Sequence, residues 1–194
     1  MGLLIMILGL VLFLGSHTFV TFRTERAAVM ARIGEGPYKG LFSLASIAGI
    51  LLIAYGFADY RAGGLIPVWF PPIWTRHLAA ALVWPAIILV TAAYIRGDIQ
   101  RLLKHPMLAG VKLWAVAHLI ANGDLGGIVL FGTVLAWAVY DRITLKRRAD
   151  PGAPPIPNRG RRNDIIALVV GTLLYLALGL WFHPYVIGLT VFGS

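Results

Sequence analysis

Six continuous apolar segments, at about 3–22, 38–58, 74–95, 106–121, 125–141 and 164–182, leave this 194-residue chain few ways to fold. A helix needs about 20 apolar residues to cross a bilayer, and most of these runs approach that length. None alternates apolar with polar residues as the strands of an outer-membrane barrel do. Charged residues are 13% of the chain, against about a quarter in soluble domains. The reading is an all-α integral membrane protein, one domain over residues 1–194, built as a bundle of about six transmembrane helices. Only Asn122-Gly123-Asp124 separates the fourth and fifth segments, so they form a tight hairpin. Both are short enough to be a re-entrant pair instead.

The basic residues sit between the spans. The first loop carries Arg23, Arg26, Arg32 and Lys39; the third, Arg96, Arg101 and Lys104; the fifth, Arg142, Lys146, Arg147, Arg148, Arg159, Arg161 and Arg162. The second loop holds only Arg61 and Arg76. A positive-inside distribution explains the net charge of +9 without a nucleic-acid partner and sets both termini on the non-cytoplasmic side. The localisation expected is the bacterial inner membrane, with membrane lipid as a partner. A flexible, basic Pro/Gly-rich loop is expected at about 146–163. The first segment lacks the basic leader and the small-residue cleavage site of a signal peptide. Trp69-Phe70-Pro71-Pro72-Ile73-Trp74 reads as an interfacial aromatic belt with a Pro-stiffened helix entry.

The chain has no cysteine, which excludes disulfides, Cys-ligated zinc or Fe–S clusters and thiolate-ligated haem. Ser-His-Asp, P-loop, HExxH and nucleotide-glycine motifs are absent, and no catalytic residue can be named. Five histidines remain. His17 and His118 lie within apolar runs, where a charged side chain costs roughly 2.5–3.5 kcal/mol on insertion scales. Histidine without cysteine or clustered acids suits haem iron, copper or non-haem iron.

His17 follows Gly15 and Ser16, small residues that admit a flat cofactor or another helix. Arg23, six residues on, is placed to meet a propionate or a lipid phosphate. His118 shares a helix face with Trp114 and Asn122, and Asn122 or Asp124 could orient its imidazole. The plain alternatives are a histidine hydrogen-bonded to a neighbouring helix and an Asn122-Gly123-Asp124 turn that merely caps two helices. His105-Pro106 stands at a helix entry, as an interfacial residue or as a ligand. His77 and His183 read as interfacial.

Leu12-Phe13-Leu14-Gly15-Ser16-His17, Arg23, Gly34–Ser43, Trp69–His77 and above all His105–Asp124 resemble the NnrU family of integral membrane proteins. The resemblance spans almost the whole chain. The family name implies a link to denitrification and nitric oxide metabolism. A plant and cyanobacterial relative, zeta-carotene isomerase, implies haem b and cis-trans isomerisation of a lipophilic polyene. Its ligand histidines correspond to His17 and His118. Its third implicated ligand, a cysteine, corresponds to Ala115, so any switch that relies on that thiolate is lost here.

Two readings follow. One is a membrane haem b-binding protein, with His17 and His118 on the iron and Arg23, Trp114, Asn122 and Asp124 around the cofactor. It would act with denitrification proteins or on a polyene. The other is a non-enzymatic membrane assembly or sensing factor for denitrification without haem. Read as straight spans, His17 and His118 lie about 15 Å apart along the membrane normal. Shared ligation then needs helix tilt, a shifted first helix or a re-entrant hairpin. His105 is the alternative ligand, at a depth closer to that of His17.

Overall fold

The computed structural model describes residues 1–148 and 157–192. Among these residues it is all-helical: α1 Gly2–Phe19, α2 Arg23–Ile33, α3 Glu35–Ala62, α4 Trp74–Tyr94, α5 Asp98–Leu103, α6 Pro106–Ala121, α7 Leu125–Lys146 and α8 Arg161–Ala177, which continues into a π-helix, Leu178–Ile187. Five helices are long and apolar enough to cross a membrane: α1, α3, α4, α7 and α8 with its π extension. The sixth expected segment is α6, whose 16 residues reach about 24 Å at the helical rise, short of the roughly 30 Å hydrocarbon core. The first loop differs from expectation: most of it is α2. Its alanines, arginines, glutamate and methionine are good helix formers. Gly34, at φ 89°, ends it by adopting backbone that other residues avoid. Of the flexible loop expected at 146–163, residues 149–156 lie outside the described residues.

The chain forms two compact units, Met1–Val68 with Asp124–Trp137, and Trp69–Gly123 with Ala138–Ser194. In the first, α1 packs along α3 on a seam of glycines. Gly2 and Gly9 face Gly56 and Gly49, so the backbones approach closely, as membrane helices do where side chains are small. A Cβ at Gly9 would stand 2.6 Å from the Ile53 nitrogen. Met6, Leu10 and Leu14 form the buried core, covered by Ile53, Phe57, Val134 and Trp137 among others. α2 folds back against α3.

In the second unit α4 is the centre, packed by α6 and α8. Gly110 of α6 lies against the Ala86 carbonyl of α4, and Gly171 of α8 against Ile88. The Trp84 indole N–H donates to Thr172 Oγ1 (3.0 Å), and the Tyr175 hydroxyl to the Ala80 carbonyl (3.1 Å). The Asp164 carboxylate accepts the backbone N–H groups of Asp98 (3.0 Å) and Ile99 (3.1 Å), supplying α5 with the N-terminal partner that its own sequence lacks. Asn158 and Asn163 donate to the Gly97 and Arg96 carbonyls.

Candidate functional site

His17 lies in the last turn of α1. Its Nδ1–H donates to the Phe13 carbonyl at 2.7 Å, with Ser16 Oγ 3.3 Å away. The imidazole is framed by three aromatic rings of the first unit. Phe13 lies at 4.3 Å between centroids, Phe42 at 5.0 Å, and Trp137 at 5.8 Å and nearly perpendicular. The Trp137 indole N–H is buried without a hydrogen-bond partner among the described residues. Buried donors are nearly always paired, so this one calls for an explanation. Phe42 also lines a cleft of about 350 Å³ with Val20, Arg26, Tyr38, Lys39 and Ser43. Arg23, the cation expected here, opens α2 and is exposed. It does not line the cleft; Arg26 does.

His118 lies in the last turn of α6, in the second unit. Its Nδ1–H donates to the Trp114 carbonyl at 2.8 Å, and the Trp114 ring lies 4.7 Å away. Asn122 caps the helix by donating from Nδ2 to the His118 carbonyl (2.8 Å). Asp124 Oδ1 accepts the Gly127 N–H (2.8 Å) at the start of α7. The hydrogen bonds therefore give Asn122 and Asp124 the capping roles that the turn suggested, while a backbone carbonyl holds the imidazole. The turn is itself pinned: the Trp69 N–H donates to the Gly123 carbonyl (3.0 Å), and a Cβ at Gly123 would strike the Trp69 carbonyl oxygen.

The structure brings a residue to His118 that sequence reasoning placed at the interface. The His183 ring lies 6.5 Å from that of His118, with 26° between their planes. His183 sits in the π-helix, and its Nδ1–H donates to the Leu178 carbonyl, five residues back, at 2.9 Å. Periodicity could not reveal this, because a π turn changes the phase of every later side chain. The Phe42 and Trp137 rings beside His17 carried only a weak signal, an aromatic at each of two distant apolar positions.

His105 caps α6 beside a second cleft of about 490 Å³, lined also by Lys104, Arg142, Leu145, Lys146 and Arg148. Its pKa lies below the ordinary histidine value. Burial is the main cause, and the positive charges of Arg142 and Lys104 add to it against Asp141.

Could these residues hold a cofactor? Among the described residues no group of three or more His, Cys, Asp or Glu is placed for a metal ion. Haem brings four nitrogens of its own, and imidazoles such as those of His17 and His118 would complete its hold on the protein. His17, His118 and His183 each donate Nδ1–H to a backbone carbonyl. In the neutral ring that bond fixes the tautomer and leaves the lone pair on Nε2, the arrangement usual for a metal-ligating histidine. The donor chemistry would suit holding a haem iron. His17 belongs to the first unit and His118 to the second.

Apolar helices of spanning length, with imidazoles held among aromatic rings, define a polytopic helical membrane protein with imidazole nitrogen donors. The comparison with protein families makes this specific. The chain belongs to the NnrU family, whose model, described as NnrU protein, matches residues 5–191. No curated protein and no solved structure matches it.

Proposed function

We propose that this NnrU protein is a bacterial inner-membrane haem b-binding protein, with about six spans and both termini outside the cytoplasm. Its role is linked to denitrification and nitric oxide metabolism, or to isomerisation of a lipophilic polyene. The observation that carries the reading is the shared locking of His17 and His118, whose Nδ1–H groups donate to the carbonyls four residues back at 2.7 and 2.8 Å. Each ring thereby presents Nε2 in a fixed direction. The indole N–H of Trp137 beside His17, without a hydrogen-bond partner among the described residues, adds a polar atom suited to a bound group. Haem iron would supply the redox or Lewis-acid chemistry. The chain's own residues hold the imidazoles, and the apolar helices keep water from them.

The visible spectrum of protein purified in detergent from haem-replete cells tests this. The expected result is a Soret band that is lost or shifted in His17→Ala and His118→Ala. Colourless wild-type protein would overturn the reading and leave the haem-free assembly or sensing factor. With haem present, turnover of a cis-polyene above an empty-membrane control would select the isomerase; its absence would select the nitric oxide-linked role.

A further inference from the structure

The cleft beside Phe42 carries the guanidinium of Arg26, within electrostatic reach of the Glu35 carboxylate. Arg26 lies one turn into α2 and is half-buried, in a helix whose other arginines, Arg23 and Arg32, are exposed. Its Nε is buried without a hydrogen-bond partner among the described residues. A buried guanidinium N–H without an acceptor is costly, and native proteins seldom leave one so unless an ion, a water or a ligand meets it. The group is also held in place. Its Cζ lies 5.5 Å from the centroid of the buried Tyr38 ring, a cation–π contact. Gly34 makes this possible, because its φ of 89° turns the chain so that α2 returns along α3.

The surroundings define what the fork faces. The cleft is lined by Val20, Arg26, Tyr38, Lys39, Phe42 and Ser43. Lys39 stands on its rim, exposed and paired with Glu35 at 2.6 Å. No acidic side chain lines it. One wall is therefore cationic with a hydroxyl, and the other is apolar and aromatic. Arginine reads planar oxyanions through two parallel N–H bonds, which makes it the preferred residue for carboxylate and phosphate.

We propose that Arg26, with Lys39 and Ser43, forms a binding site for the oxyanion of an amphiphile, a phosphate or carboxylate whose apolar part lies along Val20 and Phe42. Phe42 is the residue this site shares with His17, its ring being 5.0 Å from the imidazole. A molecule seated there touches the aromatic frame of His17 without touching its nitrogens. The inference goes beyond the haem reading and does not depend on it.

Native mass spectrometry of the full chain in detergent tests the site, with dioleoyl phosphatidylglycerol and dioleoyl phosphatidylcholine as probes. Wild type should retain the anionic lipid in preference. Arg26→Gln should weaken retention roughly ten- to a hundredfold, the worth of a hydrogen bond to a charged group, and Arg26→Lys should restore it in part. Arg32→Gln, on the same helix, should behave as wild type. Ser43→Leu fills the cleft without changing charge and should reduce retention too, which keeps the test open should Arg26→Gln fail to fold. Inorganic phosphate at constant ionic strength distinguishes the source. If it raises the melting temperature of wild type but not of Arg26→Gln, and no lipid preference is seen, the site takes free oxyanions. A lipid preference that survives both Arg26→Gln and Ser43→Leu would overturn the proposal. So would the lack of both a lipid preference and a phosphate effect in wild type.

Discussion

At the scale of single residues the molecule repeats one device. A histidine near the end of an apolar helix donates Nδ1–H to its own helix and so presents Nε2 in a fixed direction. His105 differs, because it caps α6 in a cationic cleft. Its pKa is lowered in the fold by burial and by Arg142, so the unfolded chain binds its proton more readily. The stability tied to neutral His105 is therefore complete above the ordinary histidine value, near 6.5, and declines as pH falls through that value toward the lowered one. Melting temperatures at pH 7.5 and 5.5 should show wild type losing more than His105→Asn; equal losses would rule out this contribution. The candidate ligands His17 and His118 were legible in the sequence, because an imidazole in an apolar run stands out by its cost. Arg26 was not, since the count of positive charges between spans treats all arginines alike. Its separation from Arg23 comes only from the turn at Gly34 and the Tyr38 ring that turn brings near.

At the scale of elements, glycine seams decide which helices pair. Gly56 lies so close to Met6 of α1 that a side chain there must part α1 from α3. Gly56→Leu should lower stability by about 1–3 kcal/mol or more, the usual cost of overpacking. Gly15 has open space around it, and Gly15→Ala should change stability by less than about 0.5 kcal/mol. Thermal unfolding in one detergent measures both, and similar losses in the two variants would refute the seam. Asp164 serves α5 as the side-chain cap that Gly97 cannot be. Asp164→Ala should cost about 0.5–2 kcal/mol and raise hydrogen exchange at Asp98 and Ile99; unchanged exchange there would remove the capping role. The long helices could be read from run length alone, though α3 extends three residues before and four after the apolar run at 38–58. α2 could have been read from its helix formers between Phe22 and Gly34, but its charges suggested a loop. The π-helix could not, because composition does not register one extra residue per turn.

At the scale of the whole molecule, most of the apolar surface of the spanning helices is unburied. The burial within their most apolar stretches runs from 11% to 28%. Such faces need lipid or detergent, as expected of a chain with so few charges. Orientation can be probed cleanly because the chain has no native cysteine. Single cysteines at Arg32 and Leu65, both exposed, flank α3. In intact cells an impermeant thiol reagent should label Leu65→Cys and spare Arg32→Cys, as the distribution of positive charges requires; the reverse pattern would invert the topology. The π-helix carries a last consequence for the second unit. A residue advances an α-helix by about 100°, so a stretch wound with an extra residue per turn acts as a dial, setting the azimuth of everything beyond it. Beyond it the chain turns at Gly188, φ 75°, and brings Phe192 back against Gly179 and Tyr175. Removing one residue between Leu178 and His183 should change the phase of the stretch and turn His183 away from His118, though both histidines would remain. The pairing of these two rings is thus written in the number of residues before His183 as much as in their identity.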